Sequence, residues 1–191
     1  MARLKKKEVR NAILESAANL FMRNGYIGTT VAAIARGAGT SPSGVYVYFA
    51  SKTEIAFAVF DPWMREKIEN LQRDVDAQPD ADARLDRLVF GLLNDIAADG
   101  SGQTLTLVQA LATAKPTDEY RPNLLHWTES RLGSMLDKTW PGADTVLLKT
   151  LNRTLMLAFD GIALRQNLRQ TDLDEVAEVH VLIKAVMRAT S

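Results

Sequence analysis

A chain of 191 residues, 47% of them hydrophobic, carries enough apolar side chain for one domain or two small ones, and this excludes a disordered polypeptide. It has no cysteine, which removes disulfides, thiolate nucleophiles and thiolate metal ligands and fits a reducing cytosol. The zero net charge is unevenly spread: residues 1–52 hold eight Lys and Arg against Glu8 and Glu15, a surplus of +6, so the remainder carries −6. Such asymmetry places a polyanion-binding surface at one end and a solvated acidic body at the other.

The basic N-terminus, with Arg3, Lys5, Lys6 and Lys7, reads as a flexible arm over residues 1–10 that can add phosphate contacts. It is not a signal peptide, because Glu8, Arg10, Asn11 and Glu15 interrupt any apolar run. A first helix is predicted from about Lys6 to Asn24, with Val9, Ile13, Ala17, Leu20 and Phe21 at three-to-four-residue intervals and Gly25 as terminator.

The stretch from Thr29 to Lys52 follows. Thr30 can cap a short helix carrying Ile34 and Ala35, and Gly37 and Gly39 end it. Ser41 then caps a second helix, Pro42 at the first helical position has no amide to waste, and Val45 and Phe49 lie four apart on one face. Two short helices joined by a Gly-containing turn make a helix-turn-helix at about residues 30–49. The outward side of the second helix offers Ser41, Ser43, Gly44, Tyr46 and Tyr48, with Lys52 just beyond. Small residues admit a helix to the major groove, and hydroxyls and an ammonium reach phosphates. The plainer alternative is that both tyrosines are half-buried scaffold.

From Ala17 to Lys52 the residues Leu20, Phe21, Gly25, Tyr26, Thr29, Thr30, Ile34, Ala35, Ala38, Gly39, Ser41, Gly44, Val45, Tyr46, Phe49 and Lys52 resemble, without a gap, the DNA-binding domain of the tetracycline-repressor (TetR/AcrR) family. The resemblance covers the first third of the chain; further on, only length, helical character and the Phe159-Asp160-Gly161 triplet match. It implies a homodimeric repressor whose C-terminal domain binds a small molecule and thereby releases operator DNA. It also places Thr30, Ser43, Gly44, Tyr46, Tyr48 and Lys52 where family members touch DNA. Ala32 and Ala33 depart from relatives with a long contacting side chain in the first helix, which puts base reading from that helix in doubt.

A connecting helix begins near Lys52, and its Ile55, Phe57, Ala58, Val59, Phe60, Trp63 and Ile68 are too many for one wet face. Pro62 predicts either a kink or a restart capped by Asp61, a suitable joint between two bodies. Further helices are predicted over 83–98, 103–113, 118–140, 144–169 and 173–189, separated by Gly100-Ser101-Gly102, Lys115-Pro116, Pro141-Gly142 and Gln170-Thr171-Asp172. The fold class is therefore all-α: a three-helix DNA-binding domain over 1–53 and a larger helical effector-binding and dimerisation domain over 54–191. In the last two helices, Leu147, Leu151, Leu155, Ala158 and Ile162, and then Val176, Val179, Ile183, Val186 and Met187, form stripes. More than one face of the first needs cover and Gly161 permits close approach, so a two-fold bundle with a second copy is expected, the alternative being that both helices complete the monomer core.

Catalysis is not expected. The histidines are His126 and His180, no Gly-rich phosphate loop, HExxH or GxSxG occurs, and pairs such as Asp118-Glu119 and Asp174-Glu175 sit where carboxylates favour a helix start. No cofactor or metal is implied. Trp63, Phe90, Asn94, His126, Trp127, Met156 and Phe159, with Leu93 and Leu107, mix aromatic and hydrogen-bonding groups as small-molecule sites do, although core packing accounts for any one of them. The acidic body favours a cationic or neutral effector. No apolar run reaches the roughly 20 residues of a membrane span, so a soluble cytoplasmic protein is expected. The competing reading is a DNA-binding regulator or architectural DNA binder without an effector.

Overall fold

The computed structural model describes residues 2–115, 121–165 and 173–190, all of them helix, turn or loop. The chain divides into two compact units, Met1–Trp63 with Ser101–Asn123, and Met64–Gly100 with Leu124–Ser191. The division falls inside one long helix, immediately past Pro62.

In the first unit α1 runs Ala2–Gly28 and is broken at Gly25, whose φ of 67° and ψ of 176° are not helical. Residues 2–10 are helical rather than an arm, since Ala2, Leu4 and the lysines are good helix formers with no glycine or proline among them. Ile13, Ala17 and Phe21 supply the buried stripe. The next helix, α2 (Val31–Gly37), buries Ile34 and Ala35, and Ser16 of α1 donates to the Ile34 carbonyl at 2.9 Å. It packs on α1 and on α3 (Pro42–Tyr46), which buries Val45.

The fourth helix, α4, spans Lys52–Asp76 and begins with a capping box: Ser51 Oγ accepts from Glu54 N, and the Glu54 carboxylate accepts from Ala50 N. It continues through Pro62 without restarting at Asp61. A later helix, α6 (Gln103–Thr113), also belongs to the first unit and packs on α1. Its last residue donates from Thr113 Oγ1 to the Tyr26 hydroxyl at 3.0 Å, and that hydroxyl also lies 3.0 Å from Thr53 Oγ1 at the start of α4. Three hydroxyls from three helices thus share one buried point beneath the helix-turn-helix.

The second unit begins with the rest of α4. Next, α5 (Ala81–Phe90) is capped by Asp80 Oδ1, which accepts from Ala83 N, and a π-helical stretch, Gly91–Ala97, continues it. A Cβ on Gly91 would lie 2.3 Å from Leu71 Cδ1, so the close approach to α4 requires glycine. Arg87 spans the same junction by pairing with Asp74 and Asp95, each at 2.7 Å. Helices α7 (Arg121–Thr139), α8 (Thr145–Arg165) and α9 (Leu173–Thr190) complete the unit. The expected helix start at Asp118 and the break at Gln170-Thr171-Asp172 lie outside the described residues.

On α8 the buried stripe is Leu148, Leu151, Leu155, Phe159, Ile162 and Ala163, whereas Val146, Leu157 and Leu164 are exposed. On α9 Val176 and Ile183 are buried, and Val181, Leu182 and Val186 are exposed. His180 Nε2 lies 2.6 Å from Asp86 Oδ1, and Lys184 Nζ reaches the same oxygen at 2.7 Å, which ties α9 to α5. Burial alone would raise the Asp86 carboxyl, but the hydrogen bonds from Lys184 and His180 outweigh it and hold the group below its ordinary range.

Asp160 behaves in the opposite sense, since burial pushes its carboxyl upward. The folded chain then holds that proton more tightly than the unfolded chain does. Its contribution to stability is complete below the ordinary carboxylate range, near pH 4, and is lost as pH rises through the raised folded value. Asp160→Asn should therefore stabilise the protein at neutral pH and flatten the stability profile above about pH 4. Solvent screening of a partly exposed group limits the gain to about 1 kcal/mol or less. Denaturant unfolding across a pH series measures it, and a variant that tracks the wild type at every pH contradicts the assignment.

Candidate functional site

Both short helices of the helix-turn-helix are fixed by their caps. Thr30, extended at φ −110° and ψ 151°, accepts the Ala33 amide on Oγ1 at 3.1 Å, and Ser41 accepts the Gly44 amide at 3.1 Å while its hydroxyl lies 2.9 Å from that of Ser43. Each capping hydroxyl still has a proton to donate outward, because accepting a bond does not consume it. With Pro42 at the first helical position, Ser41, Pro42 and Ser43 are all exposed. Val45 and Phe49 are buried, so the rest of the segment is oriented by what it hides.

Tyr46 is 55% exposed and Val47 69%, while Tyr48 is half-buried. Val47 is a surface residue that the helical spacing does not single out; the signal available in the sequence is that it falls off the Val45–Phe49 stripe. An exposed valine beside a tyrosine suits apolar contact with thymine methyls. Gly44 serves the inside as well as the outside, since a Cβ there would lie 2.4 Å from Thr40 Oγ1.

Lys52 is committed inward to a greater degree than its position suggests. Its ammonium donates to the carbonyls of Tyr26 at 2.8 Å and Thr29 at 3.0 Å, and lies 4.0 Å from the centroid of the Tyr26 ring. Burial lowers its pKa. Two of its three donors thus clamp the chain between α1 and α2, and one remains for an external acceptor. Thr29 Oγ1 donates to Gly25 O at 2.8 Å and completes the clamp.

The residues expected to hold a ligand have separate surroundings. Trp63 belongs to the first unit and the other six to the second. The Phe90 ring is partly exposed and stands 5.1 Å from that of His180, and Asn94 Nδ2 donates to Asp95 Oδ1 at 3.0 Å. Met156 is half-buried and Phe159 is in the core, as are Leu93 and Leu107. His126 lines a cavity of about 350 Å³ between α7 and α8, together with Glu129, Gly133, Lys149 and Asn152. Trp127 instead lies under two guanidinium groups, with Arg65 Cζ 4.5 Å and Arg131 Cζ 5.4 Å from its ring centroid. Among the described residues no group of His, Asp and Glu could hold a metal ion, and no helix is long and apolar enough to cross a membrane.

Residues 13–59 match the family model described as bacterial regulatory proteins, tetR family, a span that contains the whole capped helix-turn-helix. The chain belongs to the tetR family. That family is one of regulatory proteins and not of enzymes. The fatty acid metabolism regulator protein of Bacillus subtilis (strain 168) is 26% identical over 112 residues, which are 59% of this chain and 56% of that protein. The chain spans just over half the length of the curated tetR-type relatives it matches. Among solved structures, FadR from Bacillus subtilis in complex with stearoyl-CoA superposes with a TM-score of 0.61 at 21% identity, covering 91% of this chain and 95% of that one. AibR in complex with isovaleryl coenzyme A and operator DNA gives 0.58 at 17% identity, covering 92% and 95%. At these identities the likeness is one of fold.

Proposed function

We propose that the protein is a dimeric transcriptional repressor that binds a palindromic operator and is released by a fatty-acyl thioester of coenzyme A. The observation that carries the first part is the outward face of the helix-turn-helix: Ser41, Pro42, Ser43 and Tyr46 stand exposed on a helix whose opposite side is fixed by Val45 and Phe49. In this reading the hydroxyls of Thr30, Ser41, Tyr46 and Tyr48 and the remaining donor of Lys52 meet phosphates, while Ser43, Gly44 and Val47 approach the bases. Two-fold related recognition helices then enter major grooves about one helical turn apart, or a small multiple of it. The protein works where the chromosome is, in the cytoplasm.

The effector class is supported by the relatives: one is a fatty acid metabolism regulator, one holds stearoyl-CoA and one isovaleryl coenzyme A. It replaces the expectation of a cationic or neutral ligand drawn from the acidic charge of residues 53–191, because charge summed over a domain says little about one pocket. Selection from random DNA under competitor tests the operator half. An enriched palindrome is expected, and none emerging would favour a sequence-indifferent architectural binder. Operator release by stearoyl-CoA and isovaleryl-CoA, but not by free coenzyme A, tests the effector half.

Dimerisation is assigned to the exposed apolar residues of α8 and α9, where Leu157 is 72% exposed and Gly161 has open space around its Cα. Leu157→Glu should convert the dimer to a monomer at micromolar concentration without lowering helical content, because no monomer contact is lost. Sedimentation velocity reads the change; a variant that stays dimeric moves the interface off this face.

A further inference from the structure

The two cations at Trp127 are unlike the others of the second unit. Arg87 faces Asp74 and Asp95, Lys138 faces Asp76 and Lys184 faces Asp86, so each of those charges is answered by a carboxylate. Arg65 and Arg131 come from different helices, α4 and α7, and meet at one indole. Among the described residues Arg131 has no partner other than that ring. Both Cζ atoms lie within about 6 Å of the centroid, the range in which the π-face attracts a cation, so they are at most about 10 Å from each other.

We propose that Arg65 and Arg131, steadied by the Trp127 ring, form a diphosphate-binding site. Arginine suits this role because its planar fork offers parallel N–H groups to phosphate oxygens, which a lysine does not. The ring holds each guanidinium partly oriented before an anion arrives, so less rotamer freedom is lost on binding. With charge-assisted bonds of about 2.8 Å on each side, a phosphate bridges two guanidiniums whose Cζ atoms are up to about 8 Å apart, and a diphosphate reaches about 3 Å further. The spacing at Trp127 falls within that reach. Since the Arg groups occupy the ring, the site takes phosphate oxygens and not a stacked base.

The inference rests on the effector reading above and deepens it, because a coenzyme A thioester carries a diphosphate and the corresponding free fatty acid does not. In this arrangement the site selects the activated thioester over the free acid.

The test uses the full-length protein, with inorganic pyrophosphate, stearoyl-CoA and stearate as probes and the indole N–H resonance of Trp127 as readout. Pyrophosphate should shift that resonance in the wild type. Arg131→Gln and Arg65→Gln should each weaken pyrophosphate and stearoyl-CoA about tenfold or more, the loss expected for one charge-assisted pair, while stearate binding is unchanged. Arg131→Lys should fall between, and Lys149→Gln, a cation elsewhere in the unit, should leave all three alone. Thermal unfolding of each variant establishes that it is folded.

The proposal is overturned if both glutamine variants bind pyrophosphate and stearoyl-CoA as the wild type does, or if stearate binds the wild type as tightly as stearoyl-CoA. Pyrophosphate bound at Trp127 with no response to any acyl thioester would leave the anion site standing and remove the effector reading. Operator release by stearoyl-CoA that survives both arginine changes would do the reverse.

Discussion

Lys52→Ala should lower operator affinity by at least about tenfold and at the same time destabilise the first unit by about 2–4 kcal/mol. The second effect separates this account from a simple phosphate contact. Removing the ammonium leaves the carbonyls of Tyr26 and Thr29 without their donor and uncovers the face of the Tyr26 ring. Hydrogen bonds to a charged group are worth about 1.5–3 kcal/mol each, and the partial exposure of Lys52 places the pair toward the lower end of their combined value. A lysine that only met phosphate would reduce the salt dependence of binding by roughly one counterion and leave the melting temperature where it was. Thermal unfolding and operator titration over a salt series therefore distinguish the roles. An unchanged melting temperature would sink the clamp.

Trp127→Ala should abolish effector-driven release while leaving effector-free operator affinity within about twofold. The indole is the surface on which Arg65 and Arg131 are set, and without it both guanidiniums regain their rotamer freedom. A ligand shifts a conformational equilibrium only through its differential affinity for the two states, so loss of binding energy at this ring is loss of the signal. Operator binding with and without stearoyl-CoA measures both quantities in one experiment. A variant that still releases DNA at the wild-type effector concentration places the effector elsewhere.

The parts legible in the sequence are those whose causes are local. Thr30, Ser41 and Pro42 announce their helix starts because a cap acts over three residues, and α6 begins at Gln103 and ends at Thr113 as the flanking breakers imply. The Ser51–Glu54 capping box was equally readable from its spacing. Hidden features depend on residues far apart in the chain. Nothing near Lys52 states that its ammonium will meet two carbonyls 26 and 23 residues earlier, and nothing near Thr113 points to Tyr26, 87 residues away. The Arg65–Trp127 stack is of the same kind. The π-helical turn after Phe90 was hidden for another reason: Gly91 is there to admit Leu71, and a glycine in an apolar run reads only as a weak point in a helix.

The bond between Thr113 and Tyr26 also has a consequence during synthesis. At roughly 5–20 residues per second, a ribosome delivers Thr113 about 4–17 s after Tyr26. For that interval the nascent chain owns its recognition helix but lacks α6, which later packs on α1. An interrupted message that ends before residue 113 should consequently yield a fragment with an incomplete core, prone to proteolysis instead of accumulating as a stray occupant of the operator. The capacity to hold DNA and the bulk of the chain that governs it would then arrive in the cell nearly together.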